Sequence, residues 1–245
     1  MKKKTLLVLG AKSDIGIAVA HAFAKKGFDI QLASRNSKTL KDDCSDITIR
    51  YGVLATFHEI DALDLNSHEK FISTLPKVPN IAFSAIGVLY SQQECEKDIK
   101  KSLTVMRTNF EGIVSILSHF ANLFQERGSG AIIGISSVAG DRGRASNYIY
   151  GASKAGFTAF LSGLRNRLYP YGVDVITIKP GFVRTKMTKH IDLPNSLTSN
   201  SKKVAHSIYL AYKNKKNIIY VEPIWKYIMG FIKIIPENIF KRLKL

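Results

Sequence analysis

Tyr150 and Lys154 lie one helical turn apart in the stretch "YGASK", a spacing that places a phenol beside an ammonium group. The same Tyr-x-x-x-Lys spacing recurs twice between 209 and 216, so spacing alone does not identify a catalytic pair. Only Tyr150 closely follows an apolar strand pattern, at 131–137. Residues four apart share one face of a helix, where the cation stabilises a tyrosinate and lowers the pKa of the phenol. The sequence therefore predicts Tyr150 as a general acid assisted by Lys154.

Ser137 closes the strand pattern that precedes this tyrosine. Its hydroxyl is predicted to hydrogen-bond the same substrate oxygen as Tyr150, in the manner of a small oxyanion-stabilising site. The three side chains together suit a reaction in which negative charge develops on a carbonyl oxygen.

The elements that must position these side chains alternate between strands and helices. Such alternation is typical of βαβ units and a parallel sheet. Right-handed crossovers place the predicted helices, including those at 99–125 and 150–169, on both faces of the sheet. Seven strands are predicted, at 5–10, 29–34, 56–61, 81–86, 131–137, 173–180 and 217–222. The sequence thus predicts an α/β fold with one Rossmann-type doubly wound domain over 1–222 and a C-terminal extension over 223–245.

The stretch "GAKSDIG" at 10–16 joins the first strand to the first helix, which is where a dinucleotide-binding loop occurs. Gly10 permits the tight turn, and Gly16 lets helix and strand pack closely. The helix N-terminus offers unpaired N–H groups to a pyrophosphate. The predicted contacts also include Lys12, Ser13, Asp14 and Ile15. An ordinary βα turn that contains glycines is the alternative.

Two later strand ends carry candidate contacts for the adenosine half of a cofactor. Arg35 stands where an enzyme that uses the unphosphorylated cofactor usually carries an acid. Ser34, Arg35 and Lys12 instead suit a 2′-phosphate, so the sequence favours NADP(H) over NAD(H), with a solvated surface arginine as the alternative. Asp61 is predicted to accept a hydrogen bond from the adenine amino group, with helix capping as the alternative.

Composition limits the range of partners and locations. The chain of 245 residues carries a net charge of +17, which favours anionic partners such as phosphates, acidic lipid or nucleic acid. Cys44 and Cys95 lie in polar stretches without metal-ligand spacing, so we expect no metal site, no disulfide framework and a reducing cytoplasm. No stretch reaches the roughly 18 uninterrupted apolar residues of a membrane span. The start "MKKKTLLVLGA" is predicted to be the first strand and not a signal peptide.

The candidate residues occur in an order that resembles the short-chain dehydrogenase/reductases, and the resemblance covers nearly the whole chain. Its motifs are the loop 10–16, Asp61, "SAIG" at 84–87, Asn109, Ser137, Tyr150 with Lys154, and "PGFVRT" at 180–185. The resemblance implies hydride transfer from NADPH to a carbonyl carbon, with Tyr150 giving its proton to the oxygen. It also implies a homodimer or homotetramer formed through the long helices.

The resemblance assigns further roles. Asn109 is similar to the family asparagine that bends its helix and holds a water for proton relay. Lys154 is implied to hold the nicotinamide ribose as well, and Thr185 resembles the hydroxyl near the carboxamide and phosphates. The other implied cofactor contacts are Ala85, Gly87, Pro180, Gly181 and Val183.

Two motifs depart from the family pattern. Asp14 stands where the family loop has its middle glycine, and "SAIG" stands where the family has N-N-A-G. An acid near a pyrophosphate is unfavourable unless it caps the helix or faces away, so Asp14 leaves the cofactor geometry open.

The stretches around Tyr150 and from 173 to 188 are most similar to a bacterial subgroup, the decaprenylphosphoryl-2-keto-ribose reductases. That subgroup reduces a keto-pentose carried on a polyprenyl phosphate, which implies a lipid-linked carbonyl substrate. A substrate lid is predicted at 187–201. The cations predicted to clasp the substrate phosphate are Arg142, Arg144, Arg184, Lys186 and Lys189.

The C-terminal extension is apolar and basic. Ten Lys and Arg residues but only two acids fall within 202–245. An amphipathic helix is predicted there, in peripheral contact with the inner face of the membrane. Its apolar stripe comprises Trp225, Tyr227, Ile228, Phe231, Ile232 and Ile235, and its headgroup contacts are Lys226, Lys233, Lys241, Arg242 and Lys244. A helix that covers the core or packs in a dimer is the alternative.

Two other functional classes remain open. A soluble reductase of 3-oxoacyl carrier-protein or small-ketone substrates would use the same Ser137, Tyr150 and Lys154, and an acidic carrier would explain the basic surface. Charge alone suggests a non-catalytic NADP-binding sensor or a nucleic-acid binder. The chain contains no nucleic-acid motif, so we expect no nucleic-acid partner.

Overall fold

The computed structural model describes residues 3–189 and 191–243, in which strands and helices alternate as the sequence predicts. The strands are β1 (Thr5–Leu9), β2 (Asp29–Ser34), β3 (Ala55–Glu59), β4 (Ile81–Ser84), β5 (Gly130–Ile135), β6 (Val173–Pro180), β7 (Phe182–Arg184), β8 (Thr198–Asn200) and β9 (Ile218–Val221). The helices are α1 (Asp14–Ala24), α2 (Lys41–Tyr51), α3 (His68–Ser73), α4 (Gln92–Lys97), α5 (Ile99–Met106), α6 (Gly112–Arg127), α7 (Tyr148–Leu168), α8 (Ser201–Lys213), α9 (Ile224–Ile234) and α10 (Glu237–Phe240).

In the described part of the chain, seven strands form one parallel sheet in the order β3-β2-β1-β4-β5-β6-β9. This confirms the predicted seven-stranded, doubly wound architecture. The chain order reverses between β1 and β4, so the loops that follow these strands diverge and leave a crevice at their carboxyl ends. Strands β7 and β8 pair separately as a short parallel ribbon.

The core lies in two layers because successive side chains of a strand point to opposite faces of the sheet. In β1, Leu6 and Val8 pack into the layer that contains α1 and α8. Leu7 and Leu9 pack into the opposite layer, which contains α6 and α7. Because helices cover both faces of the sheet, successive side chains of a strand are all buried, and the strands are continuous apolar runs in the sequence.

The single helix predicted at 99–125 is divided in two. A π-helical turn at Arg107–Glu111 separates α5 from α6. Turns of this kind are frequent at functional sites, and this one contains Asn109. The apolar spacing is helical on both sides of this turn, so the sequence pattern does not show the boundary between α5 and α6.

The C-terminal extension forms α9 and α10, with a break at Pro236. Trp225 and Met229 are buried against Val138, so α9 covers part of the domain. Within 3–189 and 191–243, no helix combines the length and apolarity that crossing a membrane requires.

Candidate active site

The loop after β1 has the backbone geometry of a phosphate-binding turn. Gly10 has φ +80°, and a Cβ at this position would lie 2.8 Å from the backbone nitrogen of Ile86. The Ser13 hydroxyl accepts a hydrogen bond from Gly16 N at 3.0 Å and donates one to the Gly10 carbonyl at 2.8 Å. Ser13 is therefore the N-cap of α1, and it holds the glycines in place.

Asp14 is the first residue of α1, and its carboxylate faces the segment after β7. It accepts a hydrogen bond from the backbone N–H of Lys186 and lies 4.0 Å from Nζ of the same residue. An acid in the first turn also stabilises the helix dipole. The charge of Asp14 is thus compensated on the protein side. Lys186, one of the cations predicted to hold a substrate phosphate, lies beside this acid, and its side chain is 85% exposed.

A cleft of about 570 Å³ opens between the first loop and the ends of β2, β3 and β4. It contains eight of the residues predicted to bind cofactor, namely Gly10, Lys12, Ser13, Ser34, Arg35, Asp61, Ala85 and Gly87. It also contains residues that sequence reasoning missed, among them Asn36, Glu59, Val88 and Thr108. The size and the location suit the adenosine and pyrophosphate half of a dinucleotide.

Two cations at the edge of this cleft have no acidic partner among the residues that the structure describes. Lys12 and Arg35 are exposed, and neither forms a salt bridge with any residue in the described ranges. Two acids, Glu59 and Asp61, also line the cleft, and the Glu59 carboxylate accepts hydrogen bonds of 2.7 Å from the backbone nitrogens of Asn36 and Ser37. These bonds, aided by Lys12, lower the pKa of Glu59. The glutamate therefore shapes the loop after β2 and leaves the two cations free to meet a phosphate.

The Asp61 carboxylate serves the local turn. One of its oxygens accepts a hydrogen bond from Leu63 N at 3.0 Å, and its backbone carbonyl lies 3.1 Å from the ring Nε2 of buried His68. The contact forms a turn and not a helix cap, because the next helical turn begins at Leu65 with Asp64 as its N-cap, so the capping alternative is wrong. The residue still lines the cleft, so its contact with adenine stays a prediction.

Strand β5 and helix α7 bring Ser137, Tyr150 and Lys154 to the same edge of the sheet. Lys154 is buried, its Nζ donates to the carbonyl of Ile135 at 3.0 Å, and it lies 5.7 Å from the Tyr150 ring centroid. Ser136 fixes this turn of α7, because its hydroxyl donates to the Lys154 carbonyl at 3.0 Å. The site is therefore tied at two points to the end of β5.

Protonation in this site differs from the sequence expectation. Burial raises the pKa of Tyr150 to about 12, and the hydrogen bond with Ser137 acts in the opposite, lowering direction. Burial also lowers the pKa of Lys154 to about 8. The predicted lowering of the tyrosine pKa by Lys154 is thus wrong for the protein alone, because burial of the phenol has the largest effect and raises its pKa.

Asn109 connects the loop after β4 to α7. It is fully buried; its Oδ1 accepts from Val88 N at 2.7 Å, and its Nδ2 donates to Val88 O at 2.9 Å and to Ser153 Oγ at 3.3 Å. A Cβ on Gly87 would lie 3.5 Å from Asn109 Oδ1 and 3.7 Å from Lys154 Nζ. The predicted site residues Gly87, Asn109 and Lys154 are therefore neighbours, and Gly87 connects them to the cleft that it lines.

The two competing Tyr-x-x-x-Lys pairs lie elsewhere. Tyr209 and Tyr212 are on α8, with ring centroids 5.3 and 5.7 Å from that of Phe23 on α1. They pack α8 against α1 and do not follow β5, whereas Tyr150 does.

The remaining predicted cofactor residues lie at the end of β6 and in the segment after it; they are Pro180, Gly181, Val183 and Thr185. The Trp225 indole packs so closely on Gly181 that a Cβ there would lie 2.0 Å from it. Thr185 N donates to Thr188 Oγ1 at 3.1 Å, and Thr188 Oγ1 donates to Val183 O at 2.6 Å. Thr188, which the sequence motif did not include, thus holds this turn.

Of the cations predicted to clasp a substrate phosphate, Arg142 is committed to the C-terminal extension. Its guanidinium donates to the carbonyls of Ile232 and Ile235 at 2.6 Å and to Glu237 at 2.8 Å, and it lies 3.6 Å from the Phe240 ring centroid. This corrects the prediction for Arg142, because these contacts use its donors.

The other candidates differ in their surroundings. Arg184 donates to Asn195 at 2.8 Å, and Lys189 is exposed. Arg144 lies between Ser137 and Tyr150 in the chain; its buried Nε has no hydrogen-bond partner among the described residues, and burial lowers its pKa. A half-buried guanidinium whose Nε has no acceptor among the described residues is unfavourable, so Arg144 is the remaining strong candidate for an anion contact.

Comparison with known proteins agrees with this geometry. The family model for the short chain dehydrogenases matches residues 4–195. An uncharacterized oxidoreductase of Mycobacterium tuberculosis is 30% identical over 241 residues, covering 97% of this chain and 96% of that protein. The ketoacyl reductase HetN of Nostoc is 26% identical over 224 residues, covering 89% of this chain and 78% of HetN. A short-chain dehydrogenase from Sphingobium yanoikuyae in complex with NADPH has a TM-score of 0.81 at 22% identity, covering 96% and 97% of the two chains. With its parallel sheet, glycine loop and Ser-Tyr-Lys site in the family order, the chain belongs to the short chain dehydrogenase family of oxidoreductases.

Proposed function

We propose that the protein reduces a carbonyl group to an alcohol with NADPH as the hydride donor. The observation that carries the proposal is the convergence of Ser137, Tyr150 and buried Lys154 at the end of β5, beside a cleft of dinucleotide size. NADPH, when bound, supplies the hydride for the carbonyl carbon. The residues of the chain must then orient the carbonyl and deliver the proton.

Each of the three side chains has a role that its surroundings support. With a pKa of about 12, Tyr150 carries its proton at neutral pH and can donate it to the developing alkoxide. Ser137 Oγ–H can donate to the same oxygen. Lys154, with a pKa of about 8, is mostly charged at neutral pH and can stabilise the tyrosinate that forms. Its Nζ lies 3.7 Å from the position of a Cβ on Gly87, and Gly87 lines the cleft, so Lys154 is also placed to contact a cofactor ribose.

The preference for NADPH is supported by charge at the adenosine end. Lys12 and Arg35 flank the cleft, while the carboxylate of Glu59 is occupied by backbone N–H groups. The 2′-phosphate distinguishes NADPH from NADH, and arginine is well suited to bind it. The NADPH complex of the Sphingobium relative is consistent with this choice.

For the substrate we propose a keto-sugar carried on a polyprenyl phosphate, with soluble 3-oxoacyl compounds or ketones as the second candidate. Arg144 supports an anionic substrate, because its half-buried guanidinium lies in the segment between Ser137 and Tyr150. The similarity to HetN supports the second candidate. We propose that the segment 187–201, which includes β8, acts as the substrate lid.

The assembly and location are part of the same proposal. We propose a homodimer or homotetramer in the cytoplasm, formed through the surfaces of α5, α6 and α7. Light scattering on the purified protein tests the assembly, and a monomer at working concentration would contradict it.

The test of the function is NADPH oxidation by the wild type and by Tyr150→Phe. The substrates are polyprenyl-phosphoryl keto-pentose and a panel of water-soluble ketones and 3-oxoacyl thioesters. Turnover by the wild type and loss in Tyr150→Phe support the reductase, and the substrate that reacts decides between the two candidates. NADPH binding without oxidation of any substrate would count against catalysis and favour a sensor.

A further inference from the structure

Helix α9 is apolar on two opposite faces. Trp225 and Met229 are buried, and Ile228 and Ile232 pack beside them against the domain. The other face is exposed to solvent. It comprises Ile224 at 47%, Tyr227 at 72%, Phe231 at 67% and Ile234 at 75% relative exposure. We refer to these four residues as the outer face of α9.

The outer face is a continuous stripe and not a set of scattered residues. At 3.6 residues per turn, its four members fall within an arc of about 80°. The sequence pattern had placed Trp225, Ile228 and Ile232 on the same stripe as Tyr227 and Phe231. The structure turns the first three inward, which corrects the predicted stripe. What remains outside is therefore apolar surface that the fold itself does not use.

Cations border the outer face on one side. Lys226 and Lys233 lie next to it on α9, and Lys241 and Arg242 follow α10. None of these four forms a salt bridge with any residue within the described ranges. The single acid of the extension after Pro223, Glu237, is already paired with Arg142. The predicted headgroup contact Lys244 lies outside the described residues.

The helix is held firmly against the substrate end of the domain. Arg142, five residues after Ser137, binds the carbonyls at the C-terminal end of α9. Trp225 packs on Gly181 and donates from Nε1 to the Leu197 carbonyl at 3.3 Å, within the proposed lid. A helix with its side chains is about 10 Å across, so the outer face lies about that distance from these contacts.

We infer that the outer face of α9 docks on a lipid bilayer that carries anionic headgroups. Aromatic and branched apolar side chains beside a row of lysines match the boundary between acyl chains and headgroups. A second copy of the chain fits less well, because two such faces in contact would bring the border lysines of both copies together in a protein of net charge +17. The inference goes beyond the proposed reduction, since it holds for any substrate of the site.

The test is sedimentation of the full-length protein with vesicles of phosphatidylcholine alone and of phosphatidylcholine mixed with phosphatidylglycerol. Phe231→Glu places a charge in the middle of the outer face, and Ile49→Glu is its matched control on exposed α2. We expect binding to the mixed vesicles to fall at least about tenfold in the first variant and to remain within about twofold in the second.

The charge contribution is tested with a second pair of variants. Lys226→Glu/Lys233→Glu reverses the charge beside the outer face. The control, Lys213→Glu/Lys216→Glu, makes the same change in net charge just before β9 begins, at the opposite end of the sheet. Since each basic residue near an anionic surface contributes roughly fivefold in binding, the first pair should lose about tenfold or more and the second little. Reduction of a water-soluble ketone by all four variants separates this test from that of the proposed function.

Three results would overturn the inference. One is equal binding of the wild type and Phe231→Glu to the mixed vesicles. Another is a wild-type oligomer that Phe231→Glu converts to monomers with no change in vesicle binding, which would make the outer face a contact between copies. Binding of the wild type to neither kind of vesicle would also exclude the bilayer as the partner.

Discussion

Substitution of Asp141 tests whether a buried ion pair fixes the segment between the catalytic serine and tyrosine. Asp141 lies four residues after Ser137, and its side chain is 2% exposed. Its carboxylate is paired with Lys179 of β6, itself buried, and accepts a hydrogen bond from Tyr220 of β9 at 2.7 Å. One carboxylate therefore joins the active-site segment to two strands of the sheet.

Asp141→Asn keeps the size of the side chain and an acceptor for Tyr220, but it leaves the Lys179 ammonium buried without a counter-charge. Breaking a buried pair in this way costs about 3–5 kcal/mol. We expect about 3 kcal/mol, at the lower end, because the amide oxygen still accepts from the ammonium. For a chain of 245 residues this lowers Tm by roughly 6–12 °C.

The double variant Asp141→Asn/Lys179→Met removes both charges and should recover most of the lost stability, because it leaves no unpaired ion in the core. Urea unfolding followed by circular dichroism measures both variants, and NADPH oxidation reports whether the active-site segment is retained. A loss below about 1 kcal/mol in Asp141→Asn would refute the reasoning. A double variant as unstable as the single one would refute it too.

Three further outcomes follow from the site. Arg35→Asp should raise KM for NADPH at least about tenfold and that for NADH little, because an acid repels the 2′-phosphate; unchanged discrimination in steady-state kinetics would contradict the assignment of Arg35. Arg144→Gln should raise KM for a phosphate-bearing ketone about tenfold or more but leave KM for its neutral analogue nearly unchanged. Equal effects on the two substrates would exclude an anion contact. Burial lowers the pKa of Lys154 from 10.5 to about 8, so between these values the unfolded chain holds the extra proton. The free energy of unfolding of the wild type relative to Lys154→Met should therefore rise with pH from about 8 to about 10.5, and chemical denaturation that shows a flat or falling difference would contradict the burial of this lysine.

Much of the fold and the core of the site could be predicted because their signals are local. Each of these signals is formed by residues that are close together in the chain. This holds for the strand runs, for the glycine loop at 10–16 and for the tyrosine that follows β5. Asn109 could be singled out only through family resemblance. Its contacts with Val88 and Ser153 join segments 21 and 44 residues away, and no periodicity encodes them.

The errors share a physical cause, which is that the partner of a polar or apolar side chain is set by the tertiary fold. Arg142 was assigned to a substrate phosphate because it follows the catalytic strand, but its acceptors lie 90 to 95 residues away on the extension. The predicted apolar stripe of α9 includes Trp225 because the sequence shows how apolar residues are spaced. It does not show which face of the helix packs against the domain. The tyrosine pKa was given the wrong direction because spacing identifies the cation but not how far the phenol is desolvated. In each case the sequence indicates which interactions the residue is able to make but not its surroundings, since in a doubly wound fold the strand ends that build a site come from distant parts of the chain.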